Sequence, residues 1–272
     1  MSGTSVDWLD LSGKVCVVTG AAGGLGRAIS VGLAQAGAKV ALLDQTVESL
    51  HELRATLQDF RFEATTVACD ISDLESVAAA ARDVEVRLGP CEVLVNTAAL
   101  LRPGPLESLS IAEWNSLLGV NLTGYFICSQ LFGRQMRQRG GGSIVHVASI
   151  AASHPQGFSG SYSVSKAGIV MLSRQIATEW GSVGIRSNVV SPGLVLTPMS
   201  QSFYDAPGVK ARREAVVPVG RIGAPEDIRD AVLFLASERS SYVSGEEIGV
   251  DGGFARMLMN VIPRPGFEDA AS

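Results

Sequence analysis

The sequence predicts an α/β domain of Rossmann type: a doubly wound parallel sheet of about seven strands with helices on both faces, three layers in all. Three observations carry this. Short runs rich in Val, Ala, Ile and Leu alternate with longer runs of helical spacing, the pattern of βαβ units around a sheet buried on both faces. The 272 residues, 46% hydrophobic and 18% charged, are enough for a large core within the size of one domain. No linker, composition break, repeat or low-complexity tract divides them, so one domain is expected over 1–272.

The strand runs are KVCVVT (14–19), KVALLD (39–44), EATTVACD (63–70), CEVLVN (91–96), GSIVHVAS (142–149), IRSNVVSP (185–192) and EEIGVD (246–251). The helices between them have readable starts. Ser72 or Asp73 caps one that runs to about Leu88, and Ser110 caps one beginning IAEW. Pro225 stands in a first turn, with Glu226 and Asp227 at the positive end of the helix dipole. Between the last two strands, 193–224 has no strand signal and carries Pro198, Pro207 and Pro218. A long segment past a strand's carboxyl end lies where such sheets bind ligands, so 194–224 is expected to be a lid over substrate, with 254–272 a tail.

A net charge of -5 and the lack of any basic run argue against nucleic acid or a membrane surface as partner and leave small molecules. Cys16, Cys69, Cys91 and Cys128 are far apart with no CxxC pair, which fits a reducing cytoplasm. The N-terminal stretch has no apolar core of signal-peptide length, and no run approaches membrane-spanning length; the expectation is a soluble, cytoplasmic protein. No HExxH, paired-cysteine or clustered-carboxylate spacing indicates a metal, and no GxSxG elbow surrounds Ser149 or Ser159.

TGAAGGLG (19–26) follows the first strand and opens a helix, so Gly20, Gly24 and Gly26 suit a tight turn that brings backbone N–H groups to a diphosphate. Such turns also serve packing alone. Asp44 ends the second strand 18 residues past Gly26, near the offset at which a carboxylate accepts the ribose hydroxyls of NAD. A 2′-phosphate there would meet a like charge, with no basic residue at Ala22 or Gly23 to offset it, so NAD is favoured over NADP.

SYSVSKAG (161–168) places Tyr162 and Lys166 at i and i+4, on one helix face about 6 Å apart at Cβ. Moving a phenol from its ordinary pKa of about 10 to neutrality takes roughly 4 kcal/mol, which a neighbouring ammonium and a nicotinamide cation can supply. Tyr162 would then exchange a proton with an alcohol or carbonyl oxygen. An isolated pair so spaced is better read as an amphipathic helix with a snorkelling lysine. Here the neighbours Ser161, Ser163, Ser165, Ala167 and Gly168 are small and leave room around ring and ammonium, and Ser149 at a strand end aims a hydroxyl at the same oxygen. His146 reads as a core histidine and His51 as a solvated one. His154 suits a pocket rim or a plain loop. Met199, Phe203 and Tyr204, with Ala151, Gln156 and Leu194, are the expected substrate contacts.

These motifs together resemble the short-chain dehydrogenase/reductase (SDR) family over 11–253. TGAAGGLG, the acid at Asp44, CDI at Cys69, NTAA at Asn96, NLTG at Asn121, Ser149, YSVSK at Tyr162, PGLVLTP at Pro192 and VDGG at Val250 stand in family order. The resemblance implies a tetrad of Asn121, Ser149, Tyr162 and Lys166. Tyr162 would be the acid/base, Ser149 would hold the substrate oxygen, and Lys166 would bind the nicotinamide ribose and depress the tyrosine. Asn121 would bend its helix and hold a relay water. Cofactor contacts would be Gly20, Gly24, Leu25, Gly26, Asp44, Asp70 and Ile71 beside adenine, Asn96, Pro192, Gly193, and Thr197 at the carboxamide. The family's usual NNAG reads Asn96, Thr97, Ala98, Ala99 here, which leaves the loop 100–108 less predictable. The implied activity is NAD-dependent interconversion of a secondary alcohol and a ketone by a homotetramer whose interface includes the helices around Asn121 and Tyr162. Reduction of 3-oxoacyl carrier-protein thioesters and a non-catalytic NAD-responsive binding protein are the alternatives.

Overall fold

A computed structural model describes residues 8–45, 47–59, 62–262 and 266. The first seven residues, read above as lacking an export signal, and the tail from 263 on, Gly266 excepted, lie outside the described residues.

The strands are β1 (Val15–Thr19), β2 (Lys39–Asp44), β3 (Ala64–Ala68), β4 (Val93–Asn96), β5 (Gly142–Val147), β6 (Ile185–Pro192) and β7 (Glu247–Val250). All pair in parallel in the order β3-β2-β1-β4-β5-β6-β7. The long helices are α1 (Gly24–Gln35), α2 (Val47–Asp59), α3 (Leu74–Leu88), α4 (Ile111–Leu118), α5 (Tyr125–Gln138) and α6 (Tyr162–Trp180). Two short ones, α7 (Gln201–Tyr204) and α8 (Val209–Ala215), precede α9 (Pro225–Ala236).

Two cores explain the apolar strands. Val15, Val17, Ala41 and Leu43 face α3, α5 and α6, while Cys16, Val18, Val40 and Leu42 face α1, α2 and α9. Both faces are covered, so neither shows polar alternation. Asp73 caps α3 by accepting from Glu75 N at 3.0 Å. Ser110 and Glu113 close a reciprocal capping box on α4. All four cysteines are free and buried.

Several predicted strands run one to three residues too long because pairing stops earlier. Ala68 is the last partner of Asp44, and Cys69 N then donates to Asp44 O at 2.9 Å as the chain turns away. Cys91 N is held by Gln135 Oε1 at 2.9 Å instead of a strand. β1 lies between β2 and β4, so the connections leaving it diverge and open a crevice at the strands' carboxyl ends. Among the described residues no helix is long and apolar enough to cross a membrane.

Candidate active site

A cavity of about 520 Å³ occupies that crevice. Its floor is the glycine turn. Gly20 has φ +66°, and a Cβ there would lie 2.6 Å from Ala98 Cα; a Cβ on Gly26 would lie 2.1 Å from Gly20 O. Gly23, the residue before α1, offers no side-chain cap, and Gly23, Gly24, Leu25 and Gly26 all line the cavity. The start of α1 is therefore open to an anion, as a bound diphosphate requires. Asp44 Oδ2 accepts from Ala22 N at 3.1 Å, so this carboxylate both braces the turn and stands beside it.

Ser149, Tyr162 and Lys166 line the same cavity. Ser149 caps a short 3-10 turn by accepting from Ala151 N at 3.1 Å, which leaves its hydroxyl proton for Tyr162, its other partner. Lys166 is buried, and its Nζ donates to Val147 O at 3.0 Å and lies 5.5 Å from the centroid of the Tyr162 ring. Tyr125 Oη donates to the same carbonyl at 3.2 Å, and the Tyr125 ring centroid is also 5.5 Å from Nζ.

Electrostatics here depart from the expectation. Burial lowers Lys166 to about 7 and raises Tyr162 above its ordinary value, with the Ser149 bond pulling Tyr162 partly back. Spacing revealed the ammonium's nearness; it did not reveal how deeply the helix buries both groups.

Residues 20–255 match the family described as Enoyl-(Acyl carrier protein) reductase. D-threitol dehydrogenase of Mycolicibacterium smegmatis is 40% identical over 251 residues, covering 92% of this chain and 96% of that one. The 3-oxoacyl-[acyl-carrier-protein] reductase FabG of Thermotoga maritima is 35% identical, covering 89% and 98%. Among solved structures, a gluconate 5-dehydrogenase from Burkholderia cenocepacia, in complex with NADP and tartrate, superposes with a TM-score of 0.88 at 30% identity, over 92% of this chain and 98% of that chain. The chain belongs to the short-chain dehydrogenase/reductase family. As an SDR it is an oxidoreductase of secondary alcohols and ketones, and the family uses NAD(P).

The remaining expected residues of this SDR fall into two groups. Pro192, Gly193, Leu194, Thr197, Met199, Phe203, Tyr204 and Gln156 line the cavity; Thr197 is held through its N–H by Ser200 Oγ at 3.0 Å. Asn121, Asn96, Asp44, Asp70, Ile71 and Ala151 are not among the lining residues. Asn121 sits in a π-helical turn (Gly119–Gly124) that interrupts α4 and α5, so the expected helix distortion is present. Its side chain accepts from Leu100 N at 2.7 Å and donates to Leu100 O at 2.9 Å and Ser165 Oγ at 3.2 Å. It therefore fixes the loop after β4. Asn96 joins three strands, with Nδ2 3.2 Å from His146 Nδ1 and Oδ1 3.5 Å from Thr19 Oγ1. Asp70 accepts from Ser72 N and Oγ at 2.8 and 2.6 Å, and Ile71 is buried. His154 is exposed and outside the lining.

Sequence reasoning missed Leu101, Pro103, Phe158 and Arg213 as lining residues. The first and third come together because Gly104 bridges to Ser159, with Gly104 N donating to Phe158 O at 2.8 Å. No local pattern signals that pairing.

Proposed function

We propose that the protein oxidises a secondary alcohol to a ketone, reversibly, with NAD preferred to NADP. The observation that carries the reading is one cavity lined by an uncapped glycine turn at one end and by Ser149, Tyr162 and Lys166 at the other. The dinucleotide would rest on Gly23 to Gly26 and Thr197, and when bound it supplies the hydride acceptor. The chain's residues manage position and proton. Ser149 Oγ holds the carbinol oxygen, and Tyr162 Oη removes its proton as the carbonyl forms. Lys166, when protonated, supplies positive charge beside the phenol, and Asn121 keeps the loop after β4 in place. Asp44 beside the turn suits ribose hydroxyls and repels a 2′-phosphate.

The segment 194–224 is read as a lid. Leu196 N donates to Gly223 O at 3.0 Å and Gly223 N to Leu194 O at 2.9 Å, closing its neck while α7 and α8 project between. Among the described residues the tail past Gly253 does not line this cavity. Homotetramer formation is supported by the exposed apolar residues Phe126, Val164 and Met171 on α5 and α6 (46%, 48% and 59% exposed). Light scattering of the purified protein tests it, and a monomer mass would refute it. Reduction of 3-oxoacyl thioesters, the activity in the Thermotoga relative's name, is the second reading.

Tyr162→Phe decides the central claim. It should lower kcat about a thousandfold on any accepted alcohol while NADH affinity, read by fluorescence, changes little. Undiminished turnover would end the assignment of Tyr162 as the acid/base.

A further inference from the structure

The cavity's charge is one-sided. Its lining includes no aspartate or glutamate, and its two cations are Lys166 and Arg213. Lys166 is buried and bonded to Val147 O. Arg213 comes from α8 in the lid and is half-buried, with its guanidinium 4.8 Å over the Tyr204 ring and 5.6 Å over the Phe203 ring of α7. Two aromatic rings thus lie within cation–π distance of it. Among the described residues no carboxylate or carbonyl takes its N–H groups. Glu214 beside it in sequence pairs with Lys210 at 3.8 Å. Two other arginines are held closely: Arg221 holds Asp227 through two bonds of 2.7 Å, and Arg186 donates to three carbonyls and Ser240.

We propose that Arg213 is a carboxylate-binding subsite, so that the preferred substrate is a hydroxy acid whose acid group meets the lid while its carbinol meets Ser149 and Tyr162. The inference rests on the dehydrogenase reading above and adds the substrate's charge. A guanidinium offers parallel N–H donors that match a carboxylate edge-on. The cavity's lining also includes the apolar side chains of Leu101, Pro103, Phe158 and Met199, which suit the carbon frame between the two ends. Because Ser149 and Tyr162 hold one end of the molecule and the lid the other, binding the acid also favours the closed lid.

The test compares wild type, Arg213→Gln and Arg213→Lys on hydroxy acids from 3-hydroxybutyrate to 4-hydroxycyclohexanecarboxylate, each beside its amide, with NAD. Wild type should favour an acid over its amide by about tenfold or more in kcat/KM, the worth of one charged hydrogen-bonded partner. Arg213→Gln should abolish that preference through KM and leave the amide and NADH affinity unchanged, and Arg213→Lys should restore part of it. Equal use of acid and amide by wild type would overturn the proposal. So would an Arg213→Gln loss that falls on NADH affinity, which would place the guanidinium on the dinucleotide's phosphates. Calorimetry of the same pairs on NADH-loaded Tyr162→Phe, with and without Arg213→Gln, reads the subsite without turnover. Full turnover by Tyr162→Phe would defeat only its acid/base role; no turnover of any acid or amide by wild type would defeat the dehydrogenase reading, and the calorimetric acid preference would be judged separately.

Discussion

Lys166 has an ordinary pKa of 10.5 in an unfolded chain and about 7 when folded, because burial disfavours its charge. Between those values the unfolded chain binds more protons, so this group makes stability rise with pH. The penalty is complete below pH 7 and relieved by 10.5. Cofactor-free protein should therefore gain about 3 kcal/mol from this residue between pH 7 and 9.5. Urea unfolding at both pH values checks it, and Lys166→Met should flatten the difference. Residue identity was legible here from the i, i+4 spacing and the small neighbours. The sign of the Tyr162 shift was not, because spacing counts charges and says nothing about desolvation. Asn121 shows the same divide, since its place in NLTG could be read but its bonds to Leu100 could not.

At the scale of elements, the glycine turn is set by close approach. A methyl at Gly26 would collide with Gly20 O, whereas one at Gly23, with φ -70°, would come no nearer than 3.3 Å to the same atom. Gly26→Ala should destabilise by about 2 kcal/mol or more and Gly23→Ala by much less, measured by urea unfolding. The seven strands were legible because each is a short apolar run between turn signals, and Lys39–Asp44 and Ile185–Pro192 match to the residue. Strand ends were less so, since they depend on where the partner strand stops. The π-helical turn left no mark in periodicity, because Leu118 and Leu122 keep ordinary helical spacing across it. Arg213 was hidden for another reason: ARREA reads as a solvated basic helix until α7 brings two rings beneath one of its cations.

Across the whole molecule, strand order gathers the glycine turn after β1, the ends of β5 and β6, α6 and the lid at one edge of the sheet. Ligand binding there should be felt by global unfolding. At equal concentration NADH should raise the melting temperature more than NADPH, and Asp44→Asn should narrow the gap. A larger rise with NADPH would refute the role given to Asp44. The paired bonds between Leu194, Leu196 and Gly223 carry a different consequence. They join the neck of the lid independently of what lies beyond it, so β6 and α9 keep their places whatever the length or composition of the intervening loop. Descendants of this chain could thus acquire new substrates by exchanging one segment, inheriting the proton chemistry of the sheet's edge intact.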